Sequence, residues 1–299
     1  MVSPEVLATD LDGTLFYPKR KRNLIPAKSI NFLKRYIEDG GRLLIVSGRG
    51  HYFADKVREV LGCPVDVVGC NGSFVESDGT LIKENFFDAE KLKKTLSEIR
   101  REQRLMFISL FCKDYNFVVD ISMLNFFPRV GYRLYELSQG AYREKATKSE
   151  KIFYEQLEKG QVYKVLLFVG PSKKSIRRSE ELTKLLAVRY PDMEFAFSNQ
   201  VIEITPKGCT KSSGISFYLD YNHFSNDNVV VIGDSGNDIS MFKAYHDQSY
   251  CMSHAPLSVR QYAKTTIKHF YDLEEYIYPS AETKTSKEKK WIFEERISH

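Results

Sequence analysis

Short apolar runs alternate with amphipathic stretches near both ends of the chain, and the middle follows a different rhythm. Glu5 to Thr9 is an apolar run of strand length that breaks at Gly13-Thr14. Pro26 to Asp39 carries apolar residues at helical spacing (Ile30, Leu33, Ile37), with Pro26 near its start and Gly40-Gly41 as its stop. Arg42 to Val46 predicts a second strand ending at Ser47-Gly48. A helix follows through Leu61, and Val65 to Val68 predicts a third strand ending near Asn71-Gly72. Ser77-Asp78-Gly79-Thr80 reads as a hairpin turn between Phe74-Val75 and Leu81-Ile82. Strands alternating with helices mark βαβ units around a parallel sheet.

The middle changes character. A charged helix is expected from Asp88 to about Arg104, then strands over Leu105 to Cys112 and Phe117 to Ile121. Residues 122–145 are aromatic and irregular and yield no assignment. A helix near Ser149 to Glu158, a strand at Val162 to Val169, a helix at Lys174 to Tyr190 and a strand at Glu194 to Phe197 complete the segment. Mixed elements with hairpins predict an α+β insertion with an antiparallel sheet. The first rhythm then resumes, with a helix at Lys211 to Leu219, a strand at Asn228 to Ile232 and a helix from Asp238 to Ala244. The stretch from Pro279 onward, with Lys284, Lys287, Lys289 and Lys290, reads as a solvated tail or a terminal helix docked through Trp291 and Phe293.

Bulk properties narrow the classes. A chain of 299 residues is long enough for two domains. A net charge of +5 is too diffuse to argue for nucleic acid, though it suits an anionic small substrate. Cys63, Cys70, Cys112, Cys209 and Cys251 are odd in number, widely spaced and without a CxxC pair, which favours reduced thiols in the cytoplasm over a disulfide frame or zinc site. Met1-Val2-Ser3-Pro4 leads straight into the first strand, so no signal peptide is expected, and no apolar run reaches membrane-spanning length.

Candidate chemistry gathers at strand ends. Asp10 and Asp12, one residue apart after the first strand, are poor strand formers. A carboxylate there can attack phosphorus while a second moves a proton, but Asp-Gly is also ordinary turn chemistry. Ser47-Gly48 offers a hydroxyl and a backbone amide at a helix start, which is either a phosphate clamp or a helix cap. Lys211 opens a helix, where a cation opposes the helix dipole; it is either solvated or matched to an anion. Gly233-Asp234-Ser235-Gly236-Asn237-Asp238 follows an apolar strand and is either a turn or an oxygen-ligand set for a hard divalent cation.

Together, Asp10-Leu11-Asp12-Gly13-Thr14, Ser47-Gly48, Lys211 and Gly233-Asp234-Ser235-Gly236-Asn237-Asp238 resemble the four motifs of the haloacid dehalogenase-like phosphatases. The long insertion between the second and third motifs resembles the C2B-type cap of the Cof-like subfamily. Glu203-Ile204-Thr205-Pro206-Lys207-Gly208 and Asn71-Gly72 match that subfamily too. The resemblance implies an α/β fold: a Rossmann-like parallel sheet with helices on both faces, formed by residues 1–84 and 202–299, plus an inserted α+β cap over 85–201. It implies a Mg²⁺-dependent phosphatase of a small phosphorylated metabolite, a sugar phosphate or phosphorylated cofactor, acting as a monomer or homodimer without nucleic-acid or membrane partners.

Residue roles follow from the same resemblance. Asp10 is the expected nucleophile and Asp12 the expected acid/base. Mg²⁺ is expected on Asp10, the Asp12 main-chain carbonyl and Asp234, with Asp238 orienting a metal-bound water or supporting the loop. Ser47, Gly48, Lys211 and Asn237 are expected to hold phosphoryl oxygens, and Asn71 to touch substrate. The family pattern has Asn-Ala after the last core strand, where this chain has His254-Ala255. The basic run Lys19-Arg20-Lys21-Arg22 is either a solvated charge run or an attractor for phosphorylated substrates. Phe117, Phe126, Phe127 and Tyr132 read as cap core, not as stacking platforms for bases. A phosphotransferase sharing the phospho-Asp, and a non-catalytic phospho-accepting or metabolite-binding module, are the alternatives; Asp12 with Thr14 argues against a phospho-accepting module, and the intact four-motif set against one that only binds metabolites.

Overall fold

The computed structural model describes residues 4–18, 23–115, 117–120 and 146–279. The Lys19–Arg22 run, the aromatics Phe126, Phe127 and Tyr132, and the tail with its lysines and Trp291 lie outside the described residues.

Among the described residues, two sheets form. The first contains β1 (Val6–Thr9), β2 (Arg42–Val46), β3 (Asp66–Gly69), β4 (Phe74–Ser77), β5 (Thr80–Glu84), β12 (Val229–Gly233), β13 (Ser249–Met252) and β14 (Thr265–Ile267), in the order β14-β13-β12-β1-β2-β3-β4-β5. The six strands from β14 to β3 run parallel, and the β4–β5 hairpin closes one edge antiparallel. Alternation along the central strands explains why both faces are covered. Leu7, Leu43, Ile45, Val230 and Ile232 point to one side, against α1 (Ala27–Glu38) and α2 (His51–Leu61). Val6, Ala8, Leu44, Val46, Val229 and Val231 point to the other. There they meet Ile215, Tyr218, Met241 and Phe242, which belong to the helices at Lys211–Tyr221 and Ile239–Ala244.

The second sheet takes β6 (Phe107–Cys112), β7 (Val118–Val119), β8 (Thr147–Lys148), β9 (Val162–Phe168), β10 (Met193–Ser198) and β11 (Val201–Pro206), in the order β10-β11-β9-β6-β7-β8. Its pairs are antiparallel except β7–β8. Three helices, α3 (Ala89–Glu102), α4 (Glu150–Lys159) and α5 (Lys173–Arg189), cover one face over Ile108, Leu110, Val165, Leu167, Ile202 and Ile204. Phe111 and Tyr163 instead pack into the core's own cluster, so part of this sheet rests on the first domain.

Two expectations shift. Residues 202–206, expected in the core, form β11, hydrogen-bonded on both sides within the cap sheet. The alternation Val201-Ile202-Glu203-Ile204-Thr205 is strand-like, and Pro206 ends the strand. The buried stripe of α1 is Phe32, Leu33 and Tyr36, while Ile30 and Ile37 flank it, half-buried. Tyr36 wins the central place because its ring fills the core while its hydroxyl reaches the Pro4 carbonyl at 2.8 Å.

Candidate active site

Parallel pairing sets the site. β1 lies between β12 and β2, and the chain leaves it toward opposite edges, so a crevice opens at the carboxyl ends of these strands. Asp10, Ser47, Asn71 and Asp234 all follow the carboxyl ends of parallel strands and therefore meet along that edge. The Asp10 amide donates to Ile232 O at 2.9 Å, which extends the ladder by one residue and seats the carboxylate in the crevice.

Lys211 is the first residue of its helix, with Thr210 as the side-chain cap, and it is fully buried. Its Nζ lies 2.6 Å from both Asp10 Oδ1 and Asp238 Oδ1. Burial favours the neutral amine, but Asp10 and Asp238 outweigh it and raise the Lys211 pKa above its ordinary value. The second Asp238 oxygen accepts the Asp234 and Ser235 amides, each at 2.8 Å. Asp238 is thus bonded through both oxygens.

Asp234 accepts the Thr14 hydroxyl at 3.2 Å and faces His254 Nε2 at 3.4 Å. Tyr17 stacks on the His254 ring with centroids 4.1 Å apart. Gly13 is required beside it for two reasons: its φ is +77°, and a Cβ would come within 2.2 Å of Asp234 Oδ2. One carboxylate oxygen from each of Asp10, Asp234 and Asp238 lies within 4.8 Å of the others. Burial raises the Asp10 pKa well above the carboxylate range; Lys211 opposes the rise, and Asp238 and Asp234 add to it. Burial likewise raises Asp234, with His254 opposing and Asp238 adding. Three crowded carboxylates beside one ammonium leave excess negative charge, and hard oxygen donors of this kind fit a divalent cation.

Asp12 stands outside that cluster. Its side chain is 52% exposed and is held by both arms of Arg49, through Nε and through a second nitrogen at 2.8 Å. Arg49 also lies over the Phe53 ring, 3.8 Å from its centroid. Ser47 Oγ accepts the Arg49 amide at 3.1 Å, and Ser47 O accepts the Asn71 amide at 3.0 Å. Asn71, at φ +57°, and Asn237 do not approach Asp10 through any described hydrogen bond; both donate instead to the Glu203 carboxylate. Over Gly48 sit Lys164, Asn71 and Glu203.

The fold therefore brings together Asp10, Lys211, Asp234 and Asp238 by direct contact, and Ser47, Gly48, Asn71 and Asn237 by a neighbouring polar network. Sequence reasoning gave no role to Arg49, Lys164 or Glu203, although Glu203 heads the motif that precedes Lys211. A single lysine inside Val162-Tyr163-Lys164-Val165-Leu166-Leu167-Phe168 and a single glutamate between Ile202 and Ile204 were the available signals.

The sequence profile of the haloacid dehalogenase-like hydrolases matches residues 7–272, and the chain belongs to that family. Among curated relatives, 5-amino-6-(5-phospho-D-ribitylamino)uracil phosphatase YwtE of Bacillus subtilis is 25% identical over 252 residues, covering 79% of this chain and 84% of that one. Among solved structures, SMU.1108c of Streptococcus mutans superposes with a TM-score of 0.74 at 21% identity, over 92% of this chain and 98% of that one. The subclass IIB sugar phosphatase BT4131 superposes at 0.68 and 19% identity, over 91% and 96%. Core and cap thus share the architecture of these hydrolases, and the curated relatives place the chain among the family's phosphatases. No described helix is long and apolar enough to cross a membrane.

Proposed function

We propose that the protein hydrolyses the phosphomonoester of a small metabolite, with Asp10 as nucleophile. The buried contact of Asp10 with Lys211, beside Asp234 and Asp238, carries this reading. An isolated pair of acids would repel a phosphate, whereas an ammonium at 2.6 Å offsets the charge of the attacking carboxylate.

The chemistry follows in two displacements. An Asp10 oxygen attacks phosphorus and the bond to the ester oxygen breaks, while Asp12 passes a proton to the departing alkoxide. Water then attacks the aspartyl-phosphate as Asp12 takes its proton, freeing inorganic phosphate and restoring the Asp10 carboxylate. Arg49 holds the half-exposed Asp12 carboxylate in one place through both oxygens, so Asp12 must give up one of these bonds before it can carry a proton. Ser47 Oγ, the Gly48 amide, Lys211 Nζ and Asn237 Nδ2 are the donors for phosphoryl oxygens, with Asn71 beside them.

Asp10, Asp234 and the Asp12 carbonyl would hold Mg²⁺, which supplies positive charge against the phosphoryl group when bound. The bonds to both Asp238 oxygens fit a supporting role for that residue.

The cap sheet rests over the core and is the part suited to reading the leaving group. A sugar phosphate or a phosphorylated cofactor is the substrate class we infer, in line with the names of YwtE and BT4131. A cytoplasmic location goes with this reading, inferred from the odd number and wide spacing of the five cysteines.

The decisive experiment is a phosphate-release screen over sugar phosphates, nucleotides and phosphorylated cofactors, with Mg²⁺ and with EDTA. Wild type should release phosphate from part of the panel in Mg²⁺ only, and Asp10→Asn from none. Turnover retained in Asp10→Asn or in EDTA would overturn the mechanism.

A further inference from the structure

The helix-free face of the cap sheet sends a buried ion pair into the core. Glu203 lies opposite Leu166 in the β9–β11 ladder, and Lys164, two residues earlier on β9, shares its face. Their side chains are only 2% (Lys164) and 8% (Glu203) exposed, with Lys164 Nζ 3.5 Å from Glu203 Oε1. Burying two charges in a sheet costs desolvation that the pair alone recovers poorly, so their other bonds matter. Those bonds cross to the core. Lys164 Nζ donates to Gly48 O. Glu203 accepts from Asn71 Nδ2, and from Asn237 Nδ2 at 3.0 Å. A Cβ on Gly48 would lie 2.8 Å from Lys164 Nζ and 3.1 Å from Glu203 Oε1, so the pair rests directly on that backbone.

The contact reaches the phosphate-binding hydroxyl through a single peptide group. Gly48 O and the Arg49 N–H belong to the same peptide, and that N–H donates to Ser47 Oγ at 3.1 Å. A cation on the carbonyl fixes the peptide plane and strengthens the donor at its other end. Glu203, meanwhile, holds the Asn71 and Asn237 amides in one orientation.

We propose that Lys164 and Glu203 are positioning residues that orient Ser47, Asn71 and Asn237, so the phosphate-binding face of the core is complete only when the cap is seated. The inference rests on the phosphatase reading of the site. Its test compares wild type, Glu203→Gln, Lys164→Met and the double variant Lys164→Met/Glu203→Gln in Mg²⁺. Four quantities are read: KM and kcat for para-nitrophenyl phosphate, the constant for competitive inhibition by inorganic phosphate, and the melting temperature. Because Lys164→Met strands a buried carboxylate, the double variant removes both charges and keeps the comparison open if the single one fails to fold.

We expect KM and the inhibition constant for inorganic phosphate to rise together by about tenfold, the effect of one misdirected hydrogen-bonding group, with kcat changing less. Folded variants that keep both constants within about twofold of wild type, even at a lower melting temperature, would show a merely structural pair and overturn the inference. Wild type that neither cleaves nor binds phosphate would overturn the phosphatase reading and this inference with it. Active wild type with unchanged variants would overturn this inference alone.

Discussion

Lys211 has two acidic neighbours at 2.6 Å and no exposure to water. Removing its charge leaves Asp10 and Asp238 facing each other and Asp234 in a buried space. Breaking a buried ion pair by deleting one partner costs about 3–5 kcal/mol. Lys211→Met should therefore lower the unfolding free energy by that order in a denaturant titration, besides abolishing phosphate release. A loss below about 1 kcal/mol would mean that the carboxyls left behind take up protons, as burial favours, or are reached by water, and that the ion pair is not what holds this part of the core. Arg49 differs from Lys211 in kind. Its planar fork grips a half-exposed carboxylate and its flat face covers Phe53, a combination lysine cannot reproduce.

At the scale of elements, α1 separates what pattern alone conveys from what packing decides. Phe32→Ala should cost about 3–5 kcal/mol, because the ring is fully buried against Tyr36 and Phe270. Ile37→Ala, at the half-buried flank, should cost about 1 kcal/mol. Equal losses in chemical denaturation would restore the Ile30-Leu33-Ile37 stripe as the buried face. The helix itself was legible in the sequence, since spacing and Pro26 mark it; its rotation depends on which neighbours the sheet supplies.

The same distinction holds at the site. Asp10, Ser47, Lys211 and Asp234 were legible because each stands at the end of a recognisable strand or the start of a helix. Lys164 and Glu203 lie in mid-strand, where sequence reads a lone charge as an outward-facing residue. Only the pairing of β9 with β11, set by contacts far apart in the chain, turns both charges toward the core. Strand β11 has a strand-like alternation, but local pattern gives no sign of which sheet it joins, because both its partners are set by tertiary pairing. Arg49 was hidden because nothing local signals a partner 37 residues away.

For the whole molecule, the Mg²⁺ site proposed at the clustered carboxylates predicts that cation binding and folding are coupled. Mg²⁺ at about a hundred times its dissociation constant should raise the unfolding free energy by about 2.7 kcal/mol, read as a higher melting temperature. Asp234→Asn should abolish most of that rise while itself relieving repulsion in the metal-free protein. A Mg²⁺-induced shift of the same size in Asp234→Asn would place the cation elsewhere.

Strand β11 also sets a limit on how this molecule can be recombined with its relatives. It belongs to the cap sheet by hydrogen bonding, yet it ends only five residues before Lys211. A chimaera joined at residue 202 would set the recipient's strand between the donor's β9 and β10, so side chains that pack as neighbours in one sheet would come from two proteins. Joined after Pro206, the transplanted cap would arrive with its own glutamate for the recipient's two asparagines. Exchange of specificity between such enzymes is thus a matter of moving the returning strand with the lid.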